Sequence, residues 1–218
     1  SGGQAAQYAR DKDYVLYVHG WRMTAPERVS FADTAYKRLY WQGYRGTFGL
    51  FSWPTQRITG IPQNSTEAGN FNRSEEIAWN SAAGLRSLLN SKQSVRRSGG
   101  KLALIGHSMG GIVVSEALAQ SGTTNIVDTT VLTQAAVSSE FYVGVANPTP
   151  YYSAFGGEVG GTSPRFRHID RATTKLVNFN NEVDFALALW YENNNAKPGG
   201  PDYGSWSITG LLPPAGFL

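Results

Sequence analysis

Ser108 stands in the run Gly106-His107-Ser108-Met109-Gly110, directly after the apolar residues Leu102-Ala103-Leu104-Ile105. Glycines two places either side of a serine have a physical meaning. A hydroxyl works as a nucleophile only if it stands clear of the chain before and after it. That needs a turn so tight that a side chain two residues away would collide with neighbouring backbone. Gly106 and Gly110 supply hydrogen atoms at those places. Ile112, Val113, Val114, Ala117 and Leu118 then form an apolar helical face. The pattern therefore sits between a strand and a helix, the context it requires. The competing reading is a glycine-rich turn that happens to hold a serine, and it does not call for that context.

The neighbouring elements must hold such a turn in place. Tyr14-Val15-Leu16-Tyr17-Val18 reads as a buried strand that ends at His19-Gly20-Trp21. A helix is expected over 26–42, with Pro26 in its first turn and Val29, Ala32, Tyr36, Leu39 and Tyr40 at helical spacing. Thr47-Phe48-Gly49-Leu50-Phe51-Ser52-Trp53 reads as a second strand, stopped by Pro54. The polar stretch 56–70 reads as a surface excursion, and the next helix is expected over 74–90, capped by Ser74 with Glu75 and Glu76 at its positive end. Ile77, Ser81, Leu85, Leu88 and Leu89 make its inner face. Thr130-Val131-Leu132, within 126–137, and Lys175-Leu176-Val177-Asn178-Phe179 are further strands. This alternation predicts an α/β fold: a mostly parallel sheet with helices on both faces. In such sheets the working site lies beyond the carboxyl ends of the strands, where both His19-Gly20-Trp21 and Ser108 fall. Asn180-Asn181-Glu182-Val183-Asp184 follows the last strand, so Asp184 stands after a strand end at the start of an apolar helix over 185–191. An ordinary helix-start aspartate is the competing reading, with Glu182 and Asp170 as the other candidate acids.

Composition bounds the function. A chain of 218 residues with 41% hydrophobic and 16% charged residues is expected to form one globular domain over 1–218. The net charge of +3 and the local group Arg165, Arg167 and Arg171 read as a basic surface loop rather than a nucleic-acid site. With no cysteine there is no disulfide, thiolate metal site or cysteine nucleophile, and the redox compartment stays open. No apolar run has membrane-spanning length. No signal peptide is visible after Ser1-Gly2-Gly3. The stretch 138–167 holds Phe141, Tyr142, Tyr151, Tyr152, Phe155 and Phe166 among glycines and prolines. It reads either as a cap over the substrate or as a long loop tucking its aromatics onto the core.

Val18-His19-Gly20-Trp21, Phe51-Ser52-Trp53-Pro54, Gly106-His107-Ser108-Met109-Gly110-Gly111 and Asn180-Asn181-Glu182-Val183-Asp184 together resemble the alpha/beta-hydrolase superfamily. They look most like a bacterial branch of serine esterases and lipases. The resemblance covers nearly the whole chain and implies the alpha/beta-hydrolase fold. It implies Ser108 as nucleophile, the backbone amides of Trp21 and Met109 as oxyanion hole, and Asp184 as the acid that orients a histidine. A small-molecule or lipid ester is the implied substrate, with no metal and no cofactor. Oligomeric state does not follow from it.

The resemblance also implies a histidine after the acid, and His19, His107 and His168 all precede Asp184. Three accounts compete. The chain is a fragment whose histidine lies past Leu218; or His168, at the end of the aromatic segment, has been recruited as base; or the chain is a catalytically inactive relative that binds a ligand in the old pocket.

Overall fold

The computed structural model describes residues 12–55, 66–137, 142, 166 and 168–179, with side chains in the second stretch from residue 74 onward. In chain order the elements are β1 (Tyr14–Val18), α1 (Ala25–Trp41), β2 (Thr47–Phe51), α2 (Thr66–Ser91), α3 (Gln93–Arg97), β3 (Leu102–His107), α4 (Gly110–Ala119), β4 (Val127–Thr133), α5 (Ile169–Ala172) and β5 (Thr173–Phe179). The described strands form one sheet in the order β2-β1-β3-β4-β5, and every pair is parallel. The expected α/β architecture is therefore present.

The two faces of the sheet are covered by different helices. On one face Leu16, Val18, Leu102 and Leu104 join Ala78, Ala82, Leu85 and Leu89 of α2 and Val113, Val114, Ala117 and Leu118 of α4 in the main core. Every residue of α4 except Ala119 is buried, the pattern of a helix enclosed on all sides. Each leucine wholly buried there contributes roughly 1.5–3 kcal/mol. On the other face α1 lays Phe31 against Tyr17, with ring centroids 5.4 Å apart, and against His107 at 5.6 Å. Strand β3 shows the alternation directly: Leu102, Leu104 and Gly106 are buried, while Ala103, Ile105 and His107 on the α1 side are half-buried.

Helix α1 starts as its sequence predicts. Thr24 and Glu27 form a reciprocal capping box and Pro26 lies in the first turn. Helix α2 corrects the sequence reading. It begins at Thr66, so 66–70 is helical and not an excursion, and Ser74 lies within the helix rather than capping it. The run Ser74-Glu75-Glu76 has the composition of a helix start, and the residues before it include Gly69, Asn70 and Asn72, which are poor helix formers.

Two aromatic residues of 138–167 lie among the described ones, and both join the core. Phe166 is fully buried and stacks on Trp79 at 5.7 Å, and Tyr142 lies 5.2 Å from Phe166 with its hydroxyl 2.7 Å from Ser115 Oγ. The remainder of that stretch lies outside the described residues, as do Glu182, Asp184 and the segment 185–191. No helix among the described residues is long and apolar enough to cross a membrane.

Candidate active site

The strand order β2-β1-β3-β4-β5 reverses direction between β1 and β3. Chain connections leave these two strands toward opposite sides, which opens a crevice at their carboxyl ends. Val18 pairs with Gly106, so His19-Gly20-Trp21 runs on beside His107-Ser108-Met109. The sheet register therefore brings the two sequence motifs together.

Ser108 occupies the turn between β3 and α4 with φ +51°. That left-handed conformation costs a residue with a side chain roughly 1–3 kcal/mol and persists where surrounding contacts dictate it. Here they are visible. The Ser108 amide donates to the Thr133 carbonyl at 3.0 Å, and the Ser108 carbonyl accepts from Gly111 at 2.8 Å and from Ala136 at 3.0 Å. The flanking glycines are required by close approach. A Cβ on Gly110 would lie 2.5 Å from the His19 carbonyl oxygen and 2.6 Å from that of Val18. A Cβ on Gly106 would lie 2.9 Å from Val114 Cγ2. Across the crevice a Cβ on Gly20 would lie 3.0 Å from Ser108 Cβ. The loop after β1 is thus in van der Waals contact with the serine.

His19 builds that loop from inside. It is fully buried, its Nδ1–H donates to the Gly20 carbonyl at 2.8 Å, and its Nε2 accepts the Trp53 amide at 3.2 Å. Its ring lies flat on Trp53, 5.5 Å between centroids, and the Trp53 indole donates back to the His19 carbonyl at 2.8 Å. Burial, aided by the charges of Arg28 and His107 and opposed by these hydrogen bonds, pushes the His19 pKa down to about 4. The imidazole is neutral and structural. Arg28 of α1 completes the lock by donating to Ser52 Oγ at 2.5 Å and to the Trp53 carbonyl at 3.3 Å.

Trp21 follows Gly20 and donates its indole N–H to Ser74 Oγ of α2 at 2.9 Å. Met109, wholly buried, is the first residue after Ser108 and precedes α4. Trp21, Ser108 and Met109 therefore share one edge of the sheet. Asp184 lies outside the described residues. His168 is at the other edge: it precedes α5, which leads into the amino end of β5. Strand β5 is seven residues long and parallel to β3, so roughly 20 Å of strand separates that level from Ser108. The structure does not bring His168 and Ser108 together. His107 turns to the α1 face, where its ring stacks on Phe31.

Sequence reasoning missed three residues here. Ser74 carries no signal of its bond to Trp21, which is 53 positions away. Gln134 follows β4 with φ +50° and donates its amide to the Phe179 carbonyl, holding the strand ends beside Ser108. Glu75, expected at the positive end of a helix capped by Ser74, is only 2% exposed, and burial raises its carboxyl pKa well above the usual range. Among the described residues no group of three or more histidine, aspartate or glutamate side chains could hold a metal.

A family model described as "Alpha/beta hydrolase family" matches residues 15–214. No curated protein matches the chain. Among solved structures it is similar to the phospholipase PlaB from Legionella pneumophila in complex with thio-NAD, at 14% identity and TM-score 0.37, over 85% of this chain and 34% of that one. The chain thus spans about a third of the length of that phospholipase. It is similar to TT1662 from Thermus thermophilus at 17% identity and TM-score 0.44, over 85% of this chain and 90% of that one. An acetylxylan esterase gives 13% identity and TM-score 0.44, over 91% and 96%.

Proposed function

The chain belongs to the alpha/beta hydrolase family, and we propose that within it the protein is a serine hydrolase cleaving carboxylic esters through an acyl-enzyme at Ser108. The observation that carries this reading is the backbone of Ser108: a left-handed residue, held by three hydrogen bonds, in contact with the Gly20 loop. Strain of this kind in a residue with a hydroxyl is a mark of function.

Ser108 Oγ attacks the ester carbonyl carbon, and its proton passes to the base. The amides of Trp21 and Met109 receive the developing oxyanion, each donor worth about 3 kcal/mol in the transition state. The tetrahedral adduct expels the alcohol, which takes up the proton. Water then attacks the acyl-enzyme, releases the acid and returns the proton to Ser108. Asp184 is the proposed orienting acid for a histidine base. His19 and His107 are committed to the β1 loop and to the α1 face. His168 lies at the opposite end of the sheet from Ser108, so the base is sought outside the three histidines of this sequence.

The test is hydrolysis of p-nitrophenyl butyrate by the parent, Ser108→Ala and His168→Ala, and by a chain carried past Leu218 as encoded. Turnover in the parent or in the longer chain, lost in Ser108→Ala, supports the reading. His168→Ala is expected to leave turnover unchanged, since His168 lies at the opposite end of the sheet from Ser108. No turnover in any folded form favours a ligand-binding module on a hydrolase fold.

A further inference from the structure

Glu75 is a buried acid that the proposed chemistry does not use. It continues the stripe Ala78, Ala82, Leu85 and Leu89, the face of α2 that meets α4. Helix α4 leaves the carboxyl end of β3, and α2 leads by way of α3 to the amino end of the same strand. Both helices therefore run away from the site edge, and the first position of the stripe is the nearest to it. That position is Glu75. Its neighbour Ser74 accepts the Trp21 indole at 2.9 Å, which sets this turn of α2 at the level of the loop facing Ser108.

Every later member of the stripe is an apolar side chain. Glu75 is buried with them, at 2% exposure, and its carboxyl makes no hydrogen bond or ion pair with a described residue. Buried polar groups are nearly always partnered, and a leucine here would spare the fold the cost of desolvating a carboxyl. A group kept under that penalty at the site end of α2 is a candidate recognition element.

We infer that Glu75 binds substrate in this same site and selects esters that carry a free hydroxyl near the ester bond. The inference rests on the Ser108 reading. Burial disfavours the charged form of the carboxyl, and its neutral form offers one O–H donor and a carbonyl acceptor. An alcohol hydroxyl offers the matching acceptor and donor. A cation or an anion would require charge at a place that has excluded it.

Two ester pairs test the inference. Ethyl butyrate against glyceryl monobutyrate places the hydroxyls on the alcohol side, and ethyl butyrate against ethyl 3-hydroxybutyrate places one on the acyl side. The parent is expected to favour the hydroxylated member of one pair by about tenfold in kcat/KM. Glu75→Leu erases that preference and raises Tm, because it removes a buried carboxyl without a partner; Glu75→Gln retains part of the preference. A preference unchanged in Glu75→Leu overturns the inference. So does a lower Tm in both variants, which would make the carboxyl a structural group. If neither the parent nor the longer chain hydrolyses any of these esters, the hydrolase reading fails on its own. Calorimetric titration of the parent with glyceryl monobutyrate and ethyl 3-hydroxybutyrate then decides Glu75: binding that Glu75→Leu abolishes supports it, and no binding overturns it.

Discussion

His19 and Trp53 are bonded to one another twice: the Trp53 amide donates to His19 Nε2 and the Trp53 indole donates to the His19 carbonyl, while the two rings stack. The residues are 34 positions apart, so this pair fastens the end of β2 beneath the loop that faces the serine. Trp53→Phe keeps an aromatic ring but removes the indole donor, leaving a smaller buried side chain and a buried carbonyl without that partner. We expect a loss of about 2 kcal/mol in urea denaturation and a larger loss of ester turnover than of stability. Equal turnover at lower Tm would show that the pair serves the fold alone.

Acid should weaken the fold through His19. Its folded pKa is about 4 against a reference of 6.5. Above the higher value both states are neutral there. Between the two, the unfolded chain takes up a proton that the folded one refuses, so stability falls as pH drops. The His19 share reaches about 3 kcal/mol below the lower value. Glu75, with its raised pKa, acts in the opposite sense, losing stability as pH rises above its unfolded value. The parent is therefore compared with His19→Gln: the difference in their denaturation midpoints should shrink from neutrality toward pH 4. A constant difference would contradict the shift.

The left-handed turn can be tested apart from catalysis. Ser108→Gly and Ser108→Ala should both be inactive, yet the glycine variant should be about 1 kcal/mol the more stable, because alanine keeps the Cβ that disfavours φ +51°. Thermal melts of the two variants settle it, and equal Tm values would deny that the turn is strained.

Gly110→Ala places a Cβ 2.5 Å from the His19 carbonyl oxygen, which is backbone and cannot swing aside. A loss of 2 kcal/mol or more is expected, roughly at the upper part of the range for overpacked sites. Gly20→Ala meets Ser108 Cβ at 3.0 Å and should cost less stability while reducing turnover. Denaturation and ester assays on both variants check the order.

Ser74→Ala removes the acceptor of the Trp21 indole. About 1 kcal/mol of stability should go. If the Trp21 amide serves the oxyanion, kcat should fall with KM little changed, since the released loop would miss charge that develops only in the transition state. A change confined to KM would assign Trp21 to substrate binding instead.

Much of this was legible in the residues. Strands such as Leu102–His107 announce themselves by apolar runs, and the spacing of Gly106 and Gly110 around Ser108 follows from contacts that the structure displays. The start of α2 was not legible, because Ser74-Glu75-Glu76 has the composition of a cap and the turns before it are poor in helix formers. Glu75 was misplaced for the same reason: a carboxylate reads as solvated unless its non-local surroundings are known. The separation of His168 from Ser108 was within reach, since a residue before one strand of a parallel sheet and a residue after another lie at opposite ends. The bond between Ser74 and Trp21 links elements that no local pattern connects.

Ser108 takes its backbone posture from Thr133 and Ala136, which belong to the end of β4 and the loop that follows it. The sequence Gly106-His107-Ser108-Met109-Gly110 is complete some 25 residues earlier. During synthesis the Ser108 turn therefore has its letters before it has its shape. A nascent chain halted between Gly110 and Thr133 carries the motif but lacks the carbonyl and amide that clamp the serine, so the left-handed turn has nothing yet to hold it.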